Sequence, residues 1–164
     1  MAQQLVVPSG ASLHVNTQAT LQVAFTASVS VPVAQKVSVL VIDDNVDAQQ
    51  LLKRFLDGSA YIFVGVSDPR EALAKATAFA PGVILLDVML PGIDGWELLG
   101  RLREHPVTRH TPIIVCTILP HERLSLTLGA AAFLRKPFTR AALLAVLDAQ
   151  VGQSGQSAPL RAAH

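Results

Sequence analysis

One cysteine, one tryptophan and one tyrosine occur in 164 residues, and only 15% of the residues are charged. A lone cysteine excludes an internal disulfide framework and suits a reducing compartment. Cys116 lies beside Thr117 in an apolar run and reads as a small core residue. The net charge is +1 and no basic run stands out, so nucleic-acid binding through an electrostatic footprint has no support. No apolar stretch approaches the roughly 18 residues of a membrane span. The amino terminus lacks the basic start of a signal peptide. These absences lead us to expect a soluble cytoplasmic protein without membrane contact. His14, His105, His110, His121 and His164 show no metal-ligand spacing and read as surface residues.

Charge is scarcest in residues 1–36, which hold no charged side chain before Lys36. Leu13, Val15, Leu21, Val23, Phe25, Val29, Val31 and Val33 all fall on odd positions with mainly polar residues between them. That period of two is the pattern of a strand with one apolar face. Pro8-Ser9-Gly10 reads as a turn. A long strand without charge lacks the usual guard on an exposed edge. Two readings stay open: an unordered leader, or an arm that pairs with a sheet edge, its own or a partner's, and drives self-association.

Residues 37–150 alternate strand-like and helix-like stretches. Val39–Asp44, Val83–Asp87, Ile113–Thr117 and Phe133–Pro137 are apolar runs that stop on polar or charged residues. Buried parallel strands look like this when a site sits at their carboxyl ends. Asn45 is a good helix cap before Val46, Leu51, Leu52, Phe55 and Leu56 at helical spacing, and Asp57-Gly58-Ser59 ends that helix. Residues 61–66 predict a second strand. Asp68-Pro69-Arg70-Glu71 reads as a capping box opening the next helix. Pro91-Gly92 and Asp94-Gly95 mark a tight loop before a helix over 96–104. A short helix runs from about Pro120 to Gly129, residues 131–135 form a fifth strand, and Thr139 caps the last helix. Five such β–α units predict an α/β fold: a doubly wound five-stranded parallel sheet with helices on both faces. Residues 151–164, rich in Gly, Ser, Gln and Ala, read as a flexible tail, and no further folded domain is expected after residue 150.

The blocks Val39-Leu40-Val41-Ile42-Asp43-Asp44-Asn45, Ile84 to Gly95, Thr117 and Gly129 to Phe138 occur in an order and spacing that resembles the receiver domain of bacterial two-component response regulators. The resemblance covers residues 37–150 and implies the flavodoxin-like strand order 2-1-3-4-5. Strands one and three are then neighbours at the switch point, which brings Asp43 and Asp44 beside Asp87. Clustered carboxylates repel, and a hard cation with oxygen ligands offsets that cost. The resemblance implies that Asp44, Asp87 and the backbone carbonyl of Met89 bind Mg²⁺, with Asp43 close by or acting through water. It implies that Asp87 accepts a phosphoryl group from a histidine kinase or phosphotransfer protein. Lys136 would pair with Asp87 and neutralise phosphoryl oxygens. Thr117 would donate a hydrogen bond to the new group, letting Phe133 turn inward, so Thr117 and Phe133 form the candidate switch. The output would be contact with a downstream protein whose identity the sequence does not give. The chain would assist only its own phosphorylation and dephosphorylation, not act as an enzyme on other substrates.

Two departures from the family stand out. Ile118 follows Thr117 where receivers usually carry a small residue, and is expected to crowd the phosphoryl pocket and slow both reactions. The stretch from Thr117 to Lys136 is shorter by about one helical turn, roughly three to four residues, which abbreviates the fourth helix. Other classes fit less well. A phosphatase of the haloacid dehalogenase type wants a second acid where Met89 stands, and a flavodoxin phosphate loop would not be acidic at 43–47. The alternative function is a phosphorylation-independent assembly module using the N-terminal arm.

Overall fold

The computed structural model describes residues 2–6, 12–16, 26–30 and 36–155. They belong to two compact units, 1–35 and 36–164.

The first unit contains β1 (Ala2–Val6), β2 (Ser12–Asn16) and β3 (Thr26–Ser30), an antiparallel sheet of order β1-β2-β3. This corrects the expectation of one long strand. The alternating stretch folds back, pairing Leu13 with Val29 and Val15 with Ala27. The reversal lets the middle strand satisfy its backbone groups on both sides, which one extended strand cannot do alone. Odd positions stay opposite odd positions, so the period of two is kept on one face. The Pro8-Ser9-Gly10 turn lies outside the described residues.

The second unit runs β4 (Val37–Ile42), α1 (Val46–Leu56), β5 (Tyr61–Val66), a 3₁₀ turn (Pro69–Glu71), α2 (Ala72–Phe79), β6 (Val83–Leu86), α3 (Gly95–Glu104), β7 (Ile113–Thr117), α4 (Glu122–Thr127), β8 (Ala132–Arg135) and α5 (Arg140–Gly155). The five strands are parallel in the order β5-β4-β6-β7-β8, the doubly wound 2-1-3-4-5 arrangement. Strand parity explains the two layers. Leu40, Ile42, Ile84, Leu86, Ile113 and Val115 face Leu98, Leu99 and Leu102 of α3 and Ala72 and Ala76 of α2. Val39, Val41, Val83, Leu85, Ile114 and Cys116 face Leu52 and Leu56 of α1 and Leu143 and Leu147 of α5. β6 and β7 are buried along their whole length, which is why they read as unbroken apolar runs. Truncating a fully buried leucine such as Leu86 or Leu99 is expected to cost about 2–5 kcal/mol.

Several local expectations need correction. Asp68 does not form a capping box with Glu71: its carboxylate accepts from the Arg70 N–H and pairs with the Arg70 guanidinium, while Glu71 pairs with Lys75 one turn on. Pro69 therefore opens a 3₁₀ turn rather than the α-helix itself. Residues 151–155, expected in the tail, instead continue α5 to Gly155, and Val151 packs into the second core layer. Residues 156–164 lie outside the described residues. Helix α4 has six residues, of which only Ser125 is buried. Gly95 starts α3 where the chain crosses the backbone of Val88 so closely that a Cβ would collide with it, so a glycine is required there.

Candidate functional site

The loops after β4, β6, β7 and β8 meet at the carboxyl end of the sheet. The ladder continues just past the strands: the Asp43 N–H donates to the Val66 carbonyl at 3.2 Å and the Asp87 N–H to the Ile42 carbonyl at 2.9 Å. These bonds set Asp43 and Asp87 side by side. Each carboxylate is then held by a backbone donor two residues on. Asp43 Oδ1 accepts from the Asn45 N–H at 2.9 Å, and Asp87 Oδ1 from the Met89 N–H at 2.9 Å. The second oxygens converge on one cation: Lys136 Nζ donates to Asp43 Oδ2 and to Asp87 Oδ2, both at 2.7 Å. Sequence reasoning expected Lys136 on Asp87. It did not anticipate that Asp43 shares the same ammonium, since which carboxylates reach one lysine is decided by the sheet.

The β8 loop is positioned from β7, because the Lys136 N–H donates to the Thr117 carbonyl at 2.9 Å. Asp43 is 2% exposed, so its charge is removed from water and depends on its partners. Burial by itself disfavours the Lys136 ammonium. The hydrogen bonds and negative charges of Asp43 and Asp87 outweigh that, and raise its pKa above the ordinary lysine value.

Thr117 is fully buried, and its Oγ1 accepts from the Leu119 N–H at 3.4 Å. Register places Phe133 opposite Val115 and Arg135 opposite Thr117, so Phe133 and Thr117 share a face of the sheet. Phe133 is half-buried against the first core layer. Ile118 is 56% exposed. It lies just past the strand end with its side chain mainly in solvent.

Asp44 and Met89 are exposed beside this pair. Among the described residues no group of three or more His, Cys, Asp or Glu side chains is gathered as a ready metal cage. The convergence of Asp43 and Asp87 is made by lysine, while Asp44, the next residue in the chain, is exposed. The donor chemistry nevertheless fits a hard divalent cation. Every ligand on offer is an oxygen, and the carboxylates of Asp43, Asp44 and Asp87 leave two negative charges beyond what Lys136 balances.

The other residues singled out from sequence behave less uniformly. Cys116 is buried, and burial pushes its thiol up to about 12, so it is inert core. His110 and His121 are exposed, and His121 meets the Trp96 ring edge-on with centroids 6.3 Å apart. His105 is half-exposed: it is the C-cap of α3, its backbone N–H donating to the Arg101 carbonyl, and its Nδ1 accepts from the Val107 N–H at 3.3 Å. The side chains of His14 and His164 lie outside the description.

One residue was missed. Gln49, on α1, donates through Nε2 to the Asp43 carbonyl at 2.7 Å and to Ser67 Oγ at 3.0 Å. Nothing in the sequence marks it, since a polar residue on an amphipathic helix reads as solvated until the loop above it is known.

Residues 39–148 match the response regulator receiver domain family, and the chain belongs to that family. It is 36% identical over 118 residues to the transcriptional regulatory protein HprR of Escherichia coli (strain K12), a match covering 70% of this chain and 52% of that protein. The chain thus spans about half the length of that relative. Among solved structures, chemotaxis protein CheY4 of Vibrio cholerae superposes with a TM-score of 0.65 at 31% identity, covering 70% of this chain and 98% of that one. The receiver domain of a sensor histidine kinase from Pseudomonas aeruginosa PAO1 gives 0.66 at 30% identity, covering 71% and 98%; in that protein a magnesium ion is coordinated in the active-site cleft. No helix among the described residues is long and apolar enough to cross a membrane.

Proposed function

We propose that this chain is the phosphoacceptor module of a two-component phosphorelay, with Asp87 as the acceptor. The observation that carries the reading is the Lys136 ammonium bridging Asp43 and Asp87 at 2.7 Å at the carboxyl end of adjacent strands. In the transfer, a carboxylate oxygen of Asp87 attacks phosphorus of a phosphohistidine on a histidine kinase or phosphotransfer protein. The new O–P bond forms as the P–N bond breaks, and the imidazole nitrogen keeps the electron pair. Phosphoryl transfer asks the protein for positioning and charge neutralisation rather than covalent work. Lys136 already sits on Asp87 Oδ2 and neutralises a phosphoryl oxygen without moving far. Asp44, Asp87 and the Met89 carbonyl would hold Mg²⁺, with Asp43 beside them, and the ion would supply further neutralisation of negative charge. Thr117, whose Oγ1 accepts from the Leu119 N–H, still has its O–H to donate to the phosphoryl group, and Phe133, on the same sheet face, responds.

The output is protein–protein contact with a downstream partner, without direct nucleic-acid or membrane binding, in the cytoplasm. The chain catalyses only its own phosphorylation and dephosphorylation. The test is Mg²⁺-dependent labelling by acetyl phosphate, wild type against Asp87→Asn. Labelling of the wild type alone is expected. An unlabelled wild type, or equal labelling of the variant, overturns the reading.

A second reading is favoured by the charge-free sheet of β1, β2 and β3, whose edge strands carry none of the usual guards against pairing. In it the first unit assembles the chain whatever the state of Asp87.

A further inference from the structure

We infer that Gln49 is a positioning residue for the acidic loop after β4, and that Gly65 is a glycine in order to admit it. The inference rests on the phosphoacceptor reading and extends it to groups that touch neither phosphate nor metal.

Asp43 is held from several sides: its N–H on Val66, its Oδ1 by the Asn45 N–H, its Oδ2 by Lys136. Its carbonyl is held by Gln49 Nε2 at 2.7 Å. That carbonyl belongs to the peptide plane that also carries the Asp44 N–H. Planarity means that fixing one group fixes the other, and so fixes the direction in which Asp44 leaves the strand. The same amide nitrogen reaches Ser67 Oγ at 3.0 Å, just past the end of β5. One side chain therefore ties the ends of two adjacent strands beneath the Asp43-Asp44 acidic pair. A neutral amide suits the task. A carboxylate could not donate to the carbonyl, and a cation would compete with a bound ion for the same acids.

Gly65 supplies the second observation. Glycine in a strand interior weakens it and marks a close approach. Here the approaching group is identified: a Cβ on residue 65 would collide with Gln49 Oε1, and would also press on the Phe63 ring at 2.9 Å. Gly65 is paired with Val41 in the ladder, so no break in strand pairing calls for the glycine; the crowding comes from Gln49 first and from the Phe63 ring of the same strand second.

The experiment measures Mg²⁺ affinity of the full chain from backbone amide shifts of residues 43–45 in Gln49→Ala, Gln49→Glu, Gly65→Ala and the Gln49→Ala/Gly65→Ala double variant, alongside acetyl phosphate labelling. Outer-shell losses of this kind cost about 10- to 100-fold in metal affinity. We expect at least about a tenfold loss in each single variant. The double variant should lose little more Mg²⁺ affinity than Gln49→Ala, because the nearer collision partner is gone and only the Phe63 ring is left to give way. Should Gly65→Ala fail to fold, the Gln49 variants still decide the matter. Affinities and labelling rates equal to wild type in both Gln49 variants, with wild type labelled on Asp87, overturn this inference and leave the phosphoacceptor reading standing. Losses that simply add in the double variant also overturn it. A wild type that neither binds Mg²⁺ nor is labelled overturns both.

Discussion

Replacing Lys136 with methionine keeps the length of the side chain and removes its charge. In the native site its ammonium separates Asp43 Oδ2 from Asp87 Oδ2, at 2.7 Å from each. Without it the two oxygens face each other at about 5 Å, and two unit charges at that distance repel by about 3 kcal/mol at an effective dielectric of 20. The side chains of Asp43 and Asp87 are only 3% and 12% exposed, so water screens little of this. A separate line of reasoning agrees: removing one partner of a buried ion pair costs about 3–5 kcal/mol. For a domain near 100 residues, 1 kcal/mol moves the melting temperature by about 4 °C at the low end, so Lys136→Met should melt about 12 °C lower. The assay is thermal unfolding followed by circular dichroism, at neutral pH and low salt, in EDTA. Adding Asp87→Asn to Lys136→Met should recover part of the loss, because the like-charge repulsion is gone while Asp43 stays buried without its cation. Millimolar Mg²⁺ should recover part of it in the single variant. A loss below about 3 °C, or a double variant no more stable than Lys136→Met, would refute the charge argument on which the site rests.

Asp87→Asn alone, in EDTA, should raise the melting temperature, since it relieves repulsion while Asp43 keeps its lysine; a clear decrease would mean that the lost Lys136–Asp87 pair outweighs the repulsion between the carboxylates. The only tyrosine in the chain, Tyr61, donates to Asp148 Oδ1 at 2.6 Å, and its pKa is raised by burial, then by that hydrogen bond and the Asp148 charge. A folded-state value above the unfolded one means that its contribution is complete below about pH 10 and is lost as pH rises towards the folded value. Tyr61→Phe should therefore cost about 1–2 kcal/mol near neutrality and flatten the alkaline loss, with denaturation midpoints across pH as the check. Ile118→Ala should accelerate labelling by acetyl phosphate only slightly, because the side chain is mostly in solvent; a large acceleration would mean that it closes over the acceptor during transfer. Deleting residues 1–35 should reduce the apparent size in gel filtration by more than the mass removed if β1 or β3 pairs between copies, and a change matching the lost mass alone would remove the assembly reading.

Much of the second unit was legible from residue order because its physics is local. Apolar runs ending in Asp43-Asp44, Asp87, Thr117 and Arg135-Lys136 announce buried parallel strands with polar carboxyl ends. Asn45 and Thr139 announce helix starts, and both side chains accept from backbone N–H groups as such caps do. Less local features were misread. The alternation from Leu13 to Val33 is equally consistent with one strand or with a strand that folds back, since period two survives a reversal that keeps odd opposite odd. Asp68 caps the turn with Pro69 at its start as expected, but the box is not closed, because Arg70 also takes the Asp68 carboxylate and Glu71 pairs with Lys75 instead.

What the amino-acid order determined by itself is the set of ingredients: which runs are strands, which oxygens and which ammonium stand at their ends, and the fold class that follows from strand–helix alternation. What only the tertiary structure decided is the partnership among them. Asp43 and Lys136 are 93 residues apart in sequence and 2.7 Å apart in space, and Gln49 acquires a role only once Gly65 leaves room beside it. Pattern fixes backbone conformation through interactions a few residues long, whereas a shared proton donor or a close approach depends on how separate strands are laid side by side.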